Sequence, residues 1–418
     1  MKDFTDTTGF ITGGASGIGL AMARALGQRG MRVMLADIEA DALASNGENE
    51  AAARMYERAA NAIQADASPT IDLFVPGRLC LFGEHSDWAG GFRRFNREIV
   101  PGRTLVLGTP QGLSARVKVN DELVVTATNN KGERIGPWRC AMDREELRMA
   151  AEGDSFFAYV AGVALVVLTN HRVRGLDIDQ HTSTLPLKKG LSSSAAICVL
   201  TARAFSECYG LKLTTRGEME YAYLGEVATG SCCGRMDQAC AFGSRPTLLT
   251  HDGDRLECES IALPKTPLHL LVVDLGKDKD TPLMLKSLQR SFPCCDDDRG
   301  RRVHAWLGEE NQRRVAEAVK AVRAGDAETL GALMTAAQKD FDRCAIPECP
   351  SQFKAPTLHA VLGDETLAEW CWGGKGIGCG GEGSAQLVCR SKAARDRAVS
   401  YVKEELGMWC CCVDVGGS

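Results

Sequence analysis

Two short stretches of this chain hold side chains whose types and spacing suit chemistry on a small polar molecule. The first is Gly77-Arg78-Leu79-Cys80-Leu81-Phe82-Gly83-Glu84-His85-Ser86-Asp87. Vicinal hydroxyls donate and accept together, carboxylates accept from two at once, and imidazole can do either. Glu84, His85 and Asp87 therefore suit a polyol clamp, although a polar surface turn would have the same composition. Trp88 could cover an apolar ring face or cap the core. The second stretch is Pro186-Leu187-Lys188-Lys189-Gly190-Leu191-Ser192-Ser193-Ser194-Ala195-Ala196, ahead of an apolar helix expected from Ala195 to Cys208. A helix N-terminus has unpaired N–H groups and partial positive charge, so it receives phosphate readily. Gly190 lets the backbone come close, and Ser192, Ser193 and Ser194 add hydroxyls for phosphate oxygens or Mg2+. A serine-rich helix cap is the plainer alternative. No G-x-x-x-x-G-K-[ST] phosphate loop occurs in the chain.

Two further constellations follow. Gly225-Glu226 and Cys233-Gly234-Arg235-Met236-Asp237-Gln238 flank the end of a helix expected over Arg216 to Val227. Asp237 is a candidate general base or orienting group for a hydroxyl. Glu226 is a candidate Mg2+ ligand, since hard cations take carboxylate oxygen. A helix-surface Glu and a turn Asp remain the alternatives. Near the C-terminus, Gly373 to Gly383 holds seven glycines in eleven residues. Such a run costs backbone entropy unless positive φ or close approach requires it. Its place between Trp370-Cys371-Trp372 and an expected strand, Ala385 to Cys389, favours a packed loop over a floppy linker. A phosphate loop and a polyol clamp together imply phosphoryl transfer to a small hydroxylated molecule, a sugar first among them.

The elements that must position these groups begin with β structure from Ile71 to Gly83, bent at a glycine. The 418 residues are enough for two or three domains, and 44% hydrophobic with 25% charged residues is ordinary for a globular chain. A net charge of −5 argues against a nucleic-acid partner. The apolar run from Phe156 to Leu168 is too short to cross a bilayer and reads as a core helix. The N-terminus lacks signal-peptide character, so cytoplasmic residence is expected, with no membrane partner. Eighteen cysteines show no paired C-x-x-C or Cys/His spacing, so reduced thiols are expected rather than zinc ligands or disulfides.

Residues 7 to 45 stand apart. Gly9 to Thr12 reads as a strand, Gly13 to Gly19 as a glycine-rich turn, Leu20 to Arg29 as a helix, and Met31 to Ala36 as a second strand before Asp37. This order makes a dinucleotide fingerprint credible. It resembles the opening of a short-chain dehydrogenase/reductase, in which Gly13, Gly17 and Gly19 would approach pyrophosphate and Asp37 the adenosine ribose. The resemblance stops near Ala44. None of the six tyrosines has a lysine four residues later, and the rest of a parallel sheet is missing. A truncated Rossmann-like appendage over residues 1–45 is expected, then a linker with a helix over 46–70.

From about Ile71 to about Val402 the four constellations, in this order, resemble the GHMP kinase superfamily, and within it the galactokinase-like sugar kinases. The resemblance implies an α+β, two-lobed fold, with a ribosomal-protein-S5-like N-terminal lobe over 71–263 and an α/β C-terminal lobe over 264–418. It implies ATP and Mg2+, and a monosaccharide phosphorylated at a hydroxyl, the anomeric one being expected. By motif, Arg78 would stabilise the transferring phosphoryl and hold the base ionised. Glu84, His85 and Asp87 would bind sugar hydroxyls. Gly190, Leu191, Ser192, Ser193, Ser194 and Ala195 would hold ATP, with Ser194 and Glu226 on Mg2+. Asp237 would orient or deprotonate the attacking hydroxyl. The loop carrying Gly376, Gly378, Gly380 and Gly381 would close the site. Arg235 stands where these kinases usually carry Ile, and so could touch sugar or phosphate. The last loop ends Gly-Glu-Gly-Ser rather than Gly-Gly-Cys. A non-catalytic sugar sensor of the same fold, and more remotely an NAD(P)-dependent oxidoreductase, are the competing readings.

Overall fold

The computed structural model describes residues 8–12, 22, 25–26, 32–36, 69–129, 132–185 and 190–417. Near the N-terminus, β1 (Thr8–Thr12) and β2 (Arg32–Ala36) pair in parallel, with Gly9 opposite Val33 and Ile11 opposite Leu35. The few described residues between them, Met22, Ala25 and Leu26, are helical. That matches the expected strand–helix–strand order. Gly13, Gly17, Gly19, Asp37 and nearly all of the 46–70 segment lie outside the described residues, as do Pro186 to Lys189.

A seven-stranded sheet follows, built around β4 (Gly102–Asn120), a strand of 19 residues. Its length lets it pair with β3 (Ile71–Phe82) along most of its course, with β8 (Thr247–Asp252) at one end and with β7 (Gly175–Ser183) at the other. The remaining order runs β6 (Arg134–Cys140), β5 (Leu123–Thr128), β7, β4, β8, β9 (Arg255–Ser260). The register of β3 shifts between Pro76 and Arg78, which is the glycine bend the sequence suggests. Gly77 is required there by close approach: a Cβ would lie 2.4 Å from a Leu185 methyl and 3.0 Å from the Leu191 carbonyl oxygen.

Helices cover one face of this sheet. After α1 (Ser86–Gly91), the apolar run forms α2 (Ala158–Asn170), as its composition dictates. Next come α3 (Ser193–Tyr209) and α4 (Thr215–Val227). Gly162 and Gly225 let α2 and α4 touch backbone to backbone, since a Cβ on Gly162 would meet the Gly225 carbonyl at 2.2 Å. Thr214 caps α4 by accepting from the Gly217 N–H.

The second sheet has four antiparallel strands in the order β11 (Cys371–Gly376), β12 (Ser384–Cys389), β10 (Leu268–Asp274), β13 (Cys410–Val415). Four helices matter around it: α5 (Thr281–Gln289), α6 (Asn311–Ala324), α7 (Ala327–Ala345) and α8 (Lys392–Glu404). One core joins both parts. Val315, Val322, Leu330 and Val413 pack in the same buried cluster as Leu79, Leu107 and Ile197. The two sheets are therefore held against each other by shared apolar contact, which fixes the cleft between them. All eighteen cysteines are free thiols, as expected. Among the described residues no helix is long and apolar enough to cross a membrane.

Candidate active site

The phosphate-type loop and the Arg78 strand meet directly. The Arg78 N–H donates to the Leu191 carbonyl at 3.0 Å, so the β3 bend and the start of α3 are one unit. The Arg78 side chain is 2% exposed; its Nη2 donates to Ser192 Oγ at 2.5 Å and to the Asp237 carboxylate. Its Nε and Nη1 are buried and have no protein partner. A buried guanidinium edge left unsatisfied is costly unless an anion completes it. Asp237 begins a short 3₁₀ turn, Asp237–Phe242, and its side chain keeps 30% exposure, so its free carboxylate edge faces the cleft.

Beside this pair lies an oxygen cluster. Ser194, in the first turn of α3, donates to Glu226 at 2.8 Å, and Gln238 donates to the other Glu226 oxygen at 2.7 Å. Burial, then the charge of Asp237, pushes the Glu226 carboxyl up to about 7. The Gln238 carbonyl oxygen is buried without a partner. A hydroxyl, a carboxylate and an orphaned amide oxygen converging here fit a hard divalent cation. Gln238 was not singled out from sequence; its place next to Asp237 was the available signal.

The glycine loop closes over the phosphate loop. Gly190 has φ 78°, and a Cβ there would lie 3.3 Å from Ile377. A Cβ on Gly378 would lie 3.7 Å from Gly190 Cα. Gly378, Gly380 and Gly381 all have positive φ. A Cβ on Gly380 would collide with the Phe341 ring at 2.2 Å, so the run is a packed loop. Gly376 donates its N–H to Gln338 at 2.8 Å. Two non-glycine residues, His85 (φ 70°) and Ser192 (φ 55°), also sit in the left-handed region, one in each signature. Such strain concentrates where a structure must hold reactive groups in place.

The expected polyol clamp is divided. Glu84 pairs with Lys375 of β11, and both are nearly buried. Lys375 also donates to the Gly376 carbonyl at 3.0 Å. This pair lines a small cavity with Trp306, Phe341, Arg314 and Gly378. Asp87 points the other way, toward the turn that carries Asp237, and accepts from the Met236 N–H at 3.3 Å. Burial, then Asp237, pushes its carboxyl up to about 6. His85 lies between them and serves neither. The Trp88 indole donates to its Nδ1 at 3.2 Å, so Nε2 carries the proton toward the Cys379 carbonyl, also at 3.2 Å. Burial draws its pKa down to about 4. Both ring nitrogens of His85, expected at the sugar hydroxyls, are engaged with the protein here, and the imidazole bridges the Glu84–Asp87 turn and the glycine loop. Arg235, expected near sugar or phosphate, has its partners on α4. It is held by both oxygens of Glu220 at 3.1 Å and lies 4.3 Å over the Tyr223 ring. Lys375 was missed from sequence; a lone cation within a glycine run was its only mark.

Comparison with known proteins agrees with this arrangement. Residues 158–244 match the GHMP kinases N terminal domain, and residues 8–72 match short chain dehydrogenase. The galactokinase of Thermotoga maritima is 27% identical over 364 residues, covering 79% of this chain and 91% of that protein. The galactokinase of Streptomyces coelicolor is 27% identical over 369 residues, covering 79% and 87%. Over about four-fifths of its length the chain is thus similar to galactokinases, and its middle part to the GHMP kinase N-terminal domain. Solved structures share the kinase fold. Lactococcus lactis galactokinase complexed with galactose superposes with a TM-score of 0.64 at 16% identity, covering 86% of this chain and 97% of that one. Methanococcus jannaschii mevalonate kinase gives 0.62 at 17%, covering 83% and 99%.

Proposed function

We propose that this kinase transfers the γ-phosphoryl group of ATP to the anomeric hydroxyl of galactose or a closely related monosaccharide, in the cytoplasm and with Mg2+. The observation that carries the reading is the Arg78–Asp237 pair. A buried guanidinium with two unpartnered N–H groups is aimed beside a carboxylate that keeps one edge open. Phosphoryl transfer is chiefly positioning and charge stabilisation. Arg78 would meet the negative charge of the transferring group. Asp237 would orient the attacking hydroxyl and accept its proton as the O–P bond forms. The Gly190–Ala195 backbone at the start of α3 would seat the nucleotide phosphates. Ser194 and Glu226, with Gln238 beside them, would hold Mg2+, which when bound neutralises phosphate charge. The glycine loop would exclude water once both substrates are in place.

On the sugar side, Glu84 and Asp87 remain the hydroxyl acceptors in this reading, each reached from a different side of the Glu84–Asp87 turn. The division into lobes at about residue 263 belongs to the same reading, supported by the break between β9 and β10.

The test is ADP release from ATP across galactose, arabinose, fucose, galacturonic acid, glucuronic acid, mannose and a heptose, with and without Mg2+. A Mg2+-dependent signal with galactose or a near relative is expected. Silence on every sugar from folded, ATP-binding protein would point to a non-catalytic sensor.

A further inference from the structure

A second cavity, of about 210 Å3, lies behind the catalytic turn. Arg94, Arg235 and Arg255 line it, with Tyr223, Gly234 and the single carboxylate of Asp87. The carboxylates that pair with these arginines, Asp254, Glu220 and Glu257, do not line it. Each arginine uses only part of its donor set. Arg235 spends Nε and Nη2 on Glu220, Arg94 spends Nε and Nη1 on Gly91 and Asp254, and Arg255 spends Nη2 on Glu257. Among the described residues, Nη1 of Arg235, Nη2 of Arg94, and Nε and Nη1 of Arg255 have no partner. Three arginines with donors to spare along the wall of one cavity suit an oxyanion. The Arg235 guanidinium lies 4.3 Å over the Tyr223 ring, a cation–π contact that helps fix its place.

We propose that this cavity binds a small metabolite bearing an oxyanion, a phosphate monoester or a carboxylate. The site lies behind the proposed chemistry and shares Asp87 with its sugar side. Asp87 accepts from the Met236 N–H, one residue before Asp237, and a Cβ on Gly234 would lie 1.8 Å from the Asp87 carboxylate. The back of the catalytic turn is thus the floor of the cavity, and an occupant presses on the segment that positions Asp237. Binding itself does not depend on the kinase reading; an effect on turnover does.

The experiment is isothermal titration of the full chain with galactose 1-phosphate, inorganic phosphate and galacturonate. A non-hydrolysable ATP analogue is kept saturating, so that the Gly190–Ser194 loop is filled. Binding of at least one probe is expected, weakened tenfold or more in Arg94→Ala/Arg255→Ala. Binding of the phosphates alone, or of galacturonate alone, identifies which oxyanion the site takes. Both arginines lie at the surface, with 43% and 73% of their side chains exposed, and Arg255→Glu gives a second variant that reverses charge without emptying the wall. No binding by any probe, or binding unchanged in both variants, overturns the proposal. ADP release by the same variants without probe is expected to match wild type, so failure of the kinase reading would register separately.

Discussion

The phosphate side of the site and the polyol side are built differently from equally suggestive sequence. On the phosphate side, short polar contacts form two clusters, Arg78 with Ser192 and Asp237, and Glu226 with Ser194 and Gln238, and the chain itself joins them through 192–194 and 237–238. On the polyol side, Glu84, His85 and Asp87 are neighbours in sequence but turn to three different partners: Lys375, the Trp88–Cys379 crossbar and Met236. Catalytic geometry has to be nearly fixed, so its residues share partners. Recognition residues are anchored one at a time, and each anchor comes from a distant part of the chain.

The strongest way to break that contrast is Lys375→Met. Removing one member of a buried pair leaves an uncompensated charge, and the expected loss is about 3–5 kcal/mol in a denaturant titration. Adding Glu84→Gln should restore most of it. Retention of wild-type stability by the single variant would mean that Glu84 is not held by Lys375 and is free for substrate.

His85 gives a smaller, pH-dependent test. Its folded pKa of about 4 lies below its ordinary 6.5, because burial disfavours the imidazolium. The unfolded chain therefore binds the proton more readily. The stability this contributes is complete above pH 6.5 and is lost as pH falls toward 4, about 3 kcal/mol in all. Asp87 and Glu226, with raised folded values, act with the opposite sign: their contribution is present at low pH and lost as pH rises through about 6 and about 7. The specific signature is thus the difference between proteins. The fall in stability from pH 6.5 to 4 should be shallower in His85→Gln than in wild type. An unchanged slope would mean a solvated imidazole, available to a sugar after all.

Arg235→Ile should do least. A half-buried pair with Glu220 is worth about 1 kcal/mol, and turnover without effector should stay within roughly threefold of wild type. A tenfold rise in KM for the sugar would return Arg235 to the substrate.

Much of the fold was legible in the sequence for local reasons. The apolar run made α2, the helix expected over Arg216 to Val227 is the body of α4, and a glycine marked the bend in β3. Each is a property of a few adjacent residues. That Arg78 and Asp237 would meet, and Ser194 and Glu226, was legible only through motif order, since they stand at separate places in the chain that the fold brings together. What escaped were contacts made at long range. Nothing near His85 announces that Cys379 will accept from its ring across the cleft. Nothing near Arg235 shows Glu220 and Tyr223 waiting one helix away, because α4 must form before their side chains align. Lys375 could be seen but not assigned, since its partner Glu84 lies in the turn after β3, almost three hundred residues away.

The most direct test of the central claim compares ADP release by wild type and Asp237→Asn, with ATP, Mg2+ and galactose. Removal of a general base that also orients the nucleophile should lower kcat by roughly 10²–10⁴-fold while the fold and ATP binding persist. Equal turnover by the two proteins would contradict the assignment of Asp237, and with it the site proposed around the Arg78–Asp237 pair.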